Sequence, residues 1–186
     1  KILLEQDIHQ VNADKIGISR RQVKTITYCF LYGGGNQKLG LSYDNMLSPE
    51  AAKKKGAEIR RAYMDAVEGL EDLVNATRRV AEGGSIRAID KRQILVDKEH
   101  KALNCLLQGS AAVIAKRWLL ITDHNLRMSN FEYERYAFVH DEQVLGAPTE
   151  QAKDIAEVCK LSALMAGEYY NLRLPIEADA QIGDNW

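Results

Sequence analysis

Residues 19–35 read SRRQVKTITYCFLYGGG, and they give the clearest structural signal in the front part of the chain. Ser19 is a favoured N-cap residue, because its hydroxyl can accept from the free backbone N–H groups of a first helical turn. The glycines at positions 33–35 can end a helix without steric cost. The pattern therefore predicts a helix from Ser19 to Leu31.

One side of this helix carries a regular series of cations and tyrosines. Arg20, Lys24, Tyr28 and Tyr32 recur every four residues, so they follow one side of the helix. Two cations near a helix N-terminus oppose the helix dipole, which is mildly unfavourable for folding alone. A triphosphate would justify them, since its oxygens accept from both side chains, and the tyrosines could then flank a base or sugar. The alternative is a solvated basic turn with buried tyrosines.

A second pattern lies in a predicted hairpin nearer the C-terminus. The alternation predicts strands Tyr136–Val139 and Gln143–Leu145, joined by His140, Asp141 and Glu142. Adjacent carboxylates at a turn suit a hard, oxygen-preferring cation such as magnesium. An ordinary solvated turn is the alternative.

A third pattern lies on the longest periodic segment, a predicted helix from Glu99 to Met128. His100, Asn104 and Gln108 are one turn apart on one face of it. Side-chain amides at this spacing can donate to the acceptors that every base pair presents in the DNA minor groove. The alternative is a polar helix face, or amides bonded to the backbone.

The composition is that of an ordinary globular protein. Of 186 residues, 46% are hydrophobic and 27% are charged, which excludes a mainly disordered chain. No apolar run approaches the ~20 residues of a membrane helix, so no membrane contact is expected. The three cysteines are far apart and form no CxxC pair. They disfavour a disulfide scaffold or a zinc ribbon and favour a reducing cytosol.

The formal net charge of −1 hides an asymmetry along the chain. Residues 1–127 carry an excess of six basic residues, and residues 128–186 carry an excess of seven acidic ones. The basic part could meet phosphates, and the acidic part could hold a metal ion or simply be solvated. Random variation of the surface is the alternative.

The remaining segments are mostly helical in pattern. A short helix is predicted at 36–41, a helix starts at Ser48-Pro49, and another follows Gly69 and stops at Gly83-Gly84. A small hairpin is predicted within residues 85–96. Two features are predicted after residue 148: a helix over 150–170 that Thr149 caps, and an extended segment at 172–176 on a sheet edge. The expected fold class is α+β, mostly helical, with a small antiparallel sheet.

Taken together and in this order, the three patterns resemble the family A, or polymerase I type, DNA polymerases. Residues 20–33 resemble their motif B, and residues 139–142 resemble their motif C. Residues 104–112 resemble their primer–template helix, and Asp-Ile-His at 7–9 resembles the short segment before motif B. The resemblance is collinear and covers essentially the whole chain.

Two further positions resemble the bacteriophage replicative branch of that family. They are His100 and the closing Gly-Asp-Asn-Trp at 183–186. The resemblance implies a DNA-directed DNA polymerase whose partners are primer–template DNA and deoxynucleoside triphosphates. It leaves a processivity factor open as a further partner, and it implies a location in the host cytoplasm.

The resemblance also implies roles for the residues of motif B. Arg20 and Lys24 would bind the triphosphate of the incoming nucleotide, with His9 assisting. Lys24 would also be the catalytic general acid that protonates the leaving pyrophosphate. Tyr28 would pack near the sugar, and Tyr32 would stack in the insertion site.

Motif C and the primer–template helix are assigned in the same way. Asp141 would be one of two catalytic aspartates that hold two Mg²⁺ ions, and Glu142 would support the metal or the primer end. The residues that would contact DNA are His100, Asn104, Gln108 and His140.

By the same resemblance, residues 1–98 form a fingers-type helical region with a short hairpin. Residues 99–186 form the palm part, with the long helix, the motif C hairpin, and a C-terminal helix and strand. Thumb and exonuclease domains are absent from this chain.

The chain departs from the family pattern in two ways. Cys29 stands where the family usually has glycine, which puts in doubt how closely the helix backbone approaches the nascent base pair. Motif A, with its Asp-x-Ser-x-x-Glu pattern and the second catalytic aspartate, should precede Asp7 and is not in this sequence. Since the sequence begins at Lys1, we expect a piece of a longer enzyme that is inactive alone. The alternative is a non-catalytic, polymerase-like DNA-binding module.

Overall fold

The computed structural model describes residues 6–185, so the predicted features at Lys1 and Trp186 lie outside it. The helices and strands follow the order α1 Ile8–Ile16, α2 Arg20–Leu31, α3 Asn36–Tyr43, α4 Pro49–Ala66, α5 Leu70–Ala81, β1 Ser85–Arg87, β2 Gln93–Leu95, α6 Ala102–Met128, β3 Glu134–Val139, β4 Glu142–Gly146 and α7 Ala152–Tyr169. A 3₁₀ turn, Glu99–Lys101, precedes α6. The predicted α+β class, mostly helical with small antiparallel sheets, is confirmed.

The described residues divide into two compact units. The first contains residues 6–87 and 93–107, and the second contains residues 88–92 and 108–185. Helix α6 supplies residues to both units. The two units are defined by which residues contact each other and not by function. The border between fingers and palm at residues 98 and 99 therefore stays a prediction.

The core of the first unit forms around α2. This helix begins as predicted, because the Ser19 hydroxyl accepts from the Gln22 backbone N–H and the Gln22 side chain accepts from the Ser19 N–H. Its apolar side is buried, with Ile26 fully enclosed and Phe30 5% exposed. These residues cluster with apolar residues of α3, α4, α5 and α6, namely Leu39, Ile59, Tyr63, Leu70, Val74 and Leu103. Burial of Ile26 and Phe30 therefore determines which side of α2 faces outward.

Helices α3 and α4 cross at two glycines. A Cβ on Gly40 would collide with the backbone of Ala52, and a Cβ on Gly56 would collide with the backbone carbonyl of Asn36. Side chains of any size are therefore excluded at both positions, and the two backbones lie in direct contact.

The small hairpin predicted in this unit is confirmed. Strands β1 and β2 are antiparallel, with Ile86 opposite Ile94. Ile86 joins a second small core with Ala81, Val96 and Ala102. The hairpin is thus held by its apolar face, because two strands alone are only marginally stable.

The second unit packs α6 and α7 with the hairpin β3–β4. The Trp118 ring of α6 meets Phe138 of β3 edge-on, and its Nε1 donates to the Cys159 carbonyl of α7 at 2.8 Å. Ser162 of α7 is fully buried and accepts from the Asn125 side chain of α6 at 3.1 Å. Thr122 of α6 is also fully buried and accepts from the Gln143 side chain of β4 at 3.2 Å. The longest predicted helix and the C-terminal hairpin are therefore confirmed.

The opening of α7 differs from the prediction. Thr149 does not cap it, since the helix begins at Ala152 and the preceding Gln151 gives no side-chain cap. Residues 148–151 form a turn, in which the Gln151 N–H donates to the Pro148 carbonyl at 2.9 Å. Thr149 therefore lies inside this turn and not at the position directly before the helix.

The extended sheet-edge segment predicted at 172–176 was also wrong, because β3 and β4 form a sheet of only two strands within residues 6–185. Asn171 adopts a left-handed φ of 52°, and the Leu172 N–H donates to the Gly167 carbonyl at 3.1 Å. Ile176 then packs against Gly167, where an added Cβ would lie 3.0 Å from its Cγ1. The chain therefore folds back onto α7 instead of extending the sheet.

By length and composition alone, the segment Glu99–Met128 is apolar enough to cross a membrane. Lys116 and Arg117 lie in its middle, and only 11% of its most apolar window is buried, so it is not a typical core helix. The absence of a membrane partner stays a prediction.

The glycine crossing leads to a stability prediction. Gly56→Ala should lower the free energy of unfolding by about 1–3 kcal/mol, because the added methyl must displace the backbone of α3. Chemical denaturation followed by circular dichroism measures the change. Gly83→Ala is the control, since a Cβ there meets only the Val80 carbonyl oxygen at 3.6 Å. Equal stability of the two variants would contradict the close crossing.

Candidate functional site

The cations and tyrosines of α2 lie on its outward face. Arg20, Lys24 and Tyr28 are exposed along the helix, and Tyr32 follows as its C-cap residue. Tyr28 and Tyr32 are 45% and 59% exposed, and their rings stack at 6.2 Å with an interplanar angle of 17°. The alternative that the two tyrosines are core residues is therefore wrong. Together these four residues are called the α2 stripe below.

Cys29 does not belong to the α2 stripe. Its side chain is 8% exposed and packs in the core of the first unit beside Ile26 and Phe30. Its Sγ lies where a Cβ on Gly34 would have to be. The cysteine is therefore accommodated on the inward side of α2, and the glycine at 34 makes the room.

Helix α1 places two polar side chains against the stripe. The Asp7 carboxylate caps α1 by accepting from the His9 N–H at 2.9 Å and the Gln10 N–H at 3.2 Å. Its second oxygen accepts from the Arg20 Nε at 2.6 Å. This hydrogen bond to Arg20 lowers the pKa of the Asp7 carboxyl below its ordinary value. Asp7 is thus tied at once to α1 and to the first residue of the stripe.

His9 lies beside the same face. Its ring centroid is 6.4 Å from that of Tyr28, at an interplanar angle of 53°. Its Nδ1 is buried and has no hydrogen-bond partner. The structure therefore brings His9 together with Tyr28, while the roles of both residues around a nucleotide stay a prediction.

The ion pair of Asp7 and Arg20 was missed by the sequence reasoning, which treated Asp7 only as part of a short segment. An aspartate one residue before a helix is an N-cap signal, and that signal was available. Its pairing with Arg20 depends on the packing of α1 on α2, which no local pattern specifies.

The turn after Tyr32 borders a cavity of about 380 Å³ inside the first unit. An Asn104 side-chain carbon and nitrogen lie 4.0 Å from where a Cβ on Gly33 would be. The polar and glycine residues lining the cavity include Gly33, Gly34, Arg60, Arg78, His100 and Asn104. His100 and Asn104, predicted to contact DNA, are therefore close to the end of the stripe.

The tip of the β3–β4 hairpin is tighter than predicted. Val139 pairs with Glu142, so Glu142 belongs to β4 and only His140 and Asp141 form the turn. His140 adopts a left-handed φ of 55°, which is uncommon for a residue other than glycine. The tight turn leaves Asp141 exposed at the tip of the hairpin.

Asp141 and Glu142 provide carboxylate oxygens, which are the donors that Mg²⁺ prefers. Within residues 6–185, however, no group of three or more His, Cys, Asp and Glu side chains could hold a metal ion. The two carboxylates fit a magnesium site chemically but make only part of one. Gln108 and His140 are both exposed side chains of the second unit.

A polar cluster in the second unit was also missed. The Asp123 carboxylate accepts from the Tyr133 hydroxyl at 2.6 Å and from the Arg127 Nε at 2.9 Å. Arg135 lies 3.6 Å away. The hydrogen bond from Tyr133 is the main cause of the lowered pKa of Asp123. The cluster ties the end of α6 to β3, the strand that leads to the Asp141 turn.

Comparison with known proteins adds the family context. The chain is 29% identical to a DNA-directed DNA polymerase of Enterobacteria phage T3, over 99% of this chain and 29% of that protein. It is 26% identical to a DNA polymerase I of Bacillus caldotenax, over 97% of this chain and 21% of that protein. The chain thus spans less than a third of the length of these relatives.

A solved structure shares the fold. It is the POL domain of Pol1 from M. smegmatis in complex with DNA primer-template and dNTP, with a TM-score of 0.77 and 22% identity. The match covers 94% of this chain and 33% of that one. The family model of DNA polymerase family A matches residues 2–186. That match takes in almost every residue of the sequence, and the chain therefore belongs to DNA polymerase family A.

Proposed function

We propose that the protein containing this chain is a DNA-directed DNA polymerase that adds deoxynucleotides to a primer 3′-end on a DNA template. One observation carries the proposal: the α2 stripe stands exposed on a single helix face, with His9 beside it. Membership in family A supports it, as do relatives that are named DNA polymerases.

The α2 stripe suits a nucleoside triphosphate. Arg20 offers a planar fork of donors and Lys24 a compact charge, and both suit phosphate oxygens. The Arg20–Asp7 pair is half exposed, so it is held weakly and the guanidinium can be shared with a phosphate. Tyr28 then packs near the sugar, and His9 assists at the phosphates.

The chemistry falls to Lys24 and to the turn at Asp141. Lys24 donates a proton to the oxygen of the leaving pyrophosphate as general acid. Asp141 and Glu142 would hold Mg²⁺, in a site for two ions that a second aspartate completes. When bound, the ions supply charge neutralisation and activation of the primer hydroxyl.

Primer–template DNA is the second partner that we propose. His100 and Asn104 lie beside the turn after Tyr32, and Gln108 and His140 are exposed side chains. Donors of this kind suit the acceptors of the minor groove. The solved M. smegmatis relative was itself captured with primer-template DNA and dNTP.

The proposed organisation follows the family. Residues 1–98 are the fingers-type region and residues 99–186 the palm part of a longer polymerase. The phage relative favours the bacteriophage branch and a location in the host cytoplasm. A processivity factor stays open as a further partner of the longer polymerase.

A non-catalytic DNA-binding module is the second candidate. One observation favours it: within residues 6–185, Asp141 and Glu142 do not belong to any group of three or more His, Cys, Asp and Glu side chains that could hold a metal ion. Such a module would bind primer–template DNA with a steep salt dependence and catalyse nothing.

In the full-length protein, Lys24→Ala should lower the single-turnover rate of nucleotide addition by about 10²–10³-fold, because a general acid contributes on that scale. Rapid-quench primer extension measures it. Lys53→Ala, which removes an exposed lysine of α4, is the control. An unchanged rate in Lys24→Ala would remove that residue from the chemistry.

Asp141→Asn should abolish primer extension in the full-length protein while leaving the affinity for primer–template DNA nearly unchanged, because it removes a metal ligand and keeps the shape of the turn. Extension gels and fluorescence anisotropy report the two properties. Glu150→Gln, an exposed change in the same unit, serves as the comparison. Normal turnover by Asp141→Asn would show that motif C is wrongly assigned.

Residues 1–186 produced alone should not extend a primer, because they supply one of the two metal-binding aspartates. A primer-extension assay with Mg²⁺ and all four deoxynucleotides tests this expectation. Clear templated synthesis by this chain would overturn the half-site argument.

A further inference from the structure

Arg60 of α4 is a half-buried arginine that none of the proposed roles uses. Its Nε donates to the Asn36 side-chain oxygen at 2.7 Å, and another guanidinium nitrogen donates to the Gly34 carbonyl. The guanidinium also lies over the Phe30 ring, 5.1 Å from its centroid. One side chain thus makes three contacts with one short stretch of chain.

These contacts span the turn that joins α2 to α3. Phe30 lies in the last turn of α2, Gly34 is in the connecting segment, and Asn36 is the first residue of α3. Apart from Arg60, the segment is held by backbone hydrogen bonds such as Gly34 N–H to the Cys29 carbonyl at 2.7 Å. Arg60 therefore links the end of one helix to the start of the next.

The guanidinium is poorly placed to bind a phosphate itself. Two of its donor groups already serve the turn, and its flat face is against Phe30. Burial, with help from the nearby charge of Arg78, lowers its pKa from the ordinary value. Burying a charged guanidinium costs desolvation energy, which hydrogen bonds must offset. The turn supplies those hydrogen-bond acceptors.

We propose that Arg60 is a positioning residue that fixes Tyr32 and thereby governs nucleotide selection. Tyr32 lies between Phe30 and Gly34 in sequence, and its ring stands 59% exposed at the end of the stripe. The Tyr32 N–H donates to the Tyr28 carbonyl at 2.9 Å, so α2 holds its backbone on one side and the turn held by Arg60 follows on the other. The inference rests on the proposed function, in which Tyr32 stacks in the insertion site.

The test compares Arg60→Lys with Arg61→Lys in the full-length protein. Both changes keep the charge and remove the planar fork, but Arg61 is an exposed neighbour on the same helix. For each variant, kcat and KM are measured for the correct and for one incorrect nucleotide, together with Tm. Hydrogen exchange of the peptide covering residues 29–39 reports the turn directly.

For Arg60→Lys we expect the ratio of kcat/KM for correct over incorrect nucleotide to fall about tenfold, since small displacements near reacting groups have effects of this size or larger. Exchange in residues 29–39 should rise, and Arg61→Lys should match the wild type. Asn36→Ala, which removes one partner and keeps Arg60, should lower the ratio in the same direction by a smaller factor.

Two results would overturn the inference. One is an active Arg60→Lys with the wild-type ratio, even if Tm falls, because a merely stabilising residue predicts that outcome. The other is the same loss of selectivity in Arg61→Lys. Failure of the proposed function looks different, since the wild type itself would then show no templated synthesis.

Discussion

The burial of one side of α2 is the constraint on which the first unit depends. Ile26 and Phe30 are enclosed by apolar residues of four other helices, so α2 cannot rotate without exposing them. Because the helix repeat fixes the angle between side chains, the cations and tyrosines must then face outward. The position of the candidate site is therefore a consequence of core packing. One amphipathic helix supplies both the buried core residues and the exposed α2 stripe.

The main features of this helix could be predicted from the sequence. Ser19 and Gly33 marked its ends, and the four-residue spacing of the α2 stripe placed its members on one side. Local chemistry determines such features, because caps and periodicity act within a few residues. The same holds for the two hairpins and for the helix through Gln108.

Some of the parts that sequence reasoning missed depend on contacts between distant segments. The Arg20–Asp7 pair and the Arg60 contacts join residues on different helices. Thr149 has the right chemistry for a cap but lies in a turn, and the 172–176 segment has strand-like residues but returns to Gly167. In the 172–176 segment, the packing of Ile176 on Gly167 overrides the local strand propensity. Thr149 is instead taken into a local turn that the Gln151 N–H and the Pro148 carbonyl close. The proposed metal site is different, because Asp141 and Glu142 were singled out from the sequence, while within residues 6–185 no group of three or more His, Cys, Asp and Glu side chains could hold an ion.

The glycine crossing of α3 and α4 has a consequence for motion. With backbone against backbone at Gly40 and Gly56, neither helix can slide or roll along the other without a collision. Helices α3 and α4 must then move together as one rigid body. Angular change in this part of the unit falls to the short connections, such as the one at Gly69, whose left-handed φ of 76° few other residues adopt easily. A displacement of the turn after Tyr32 would therefore move α3 and α4 together.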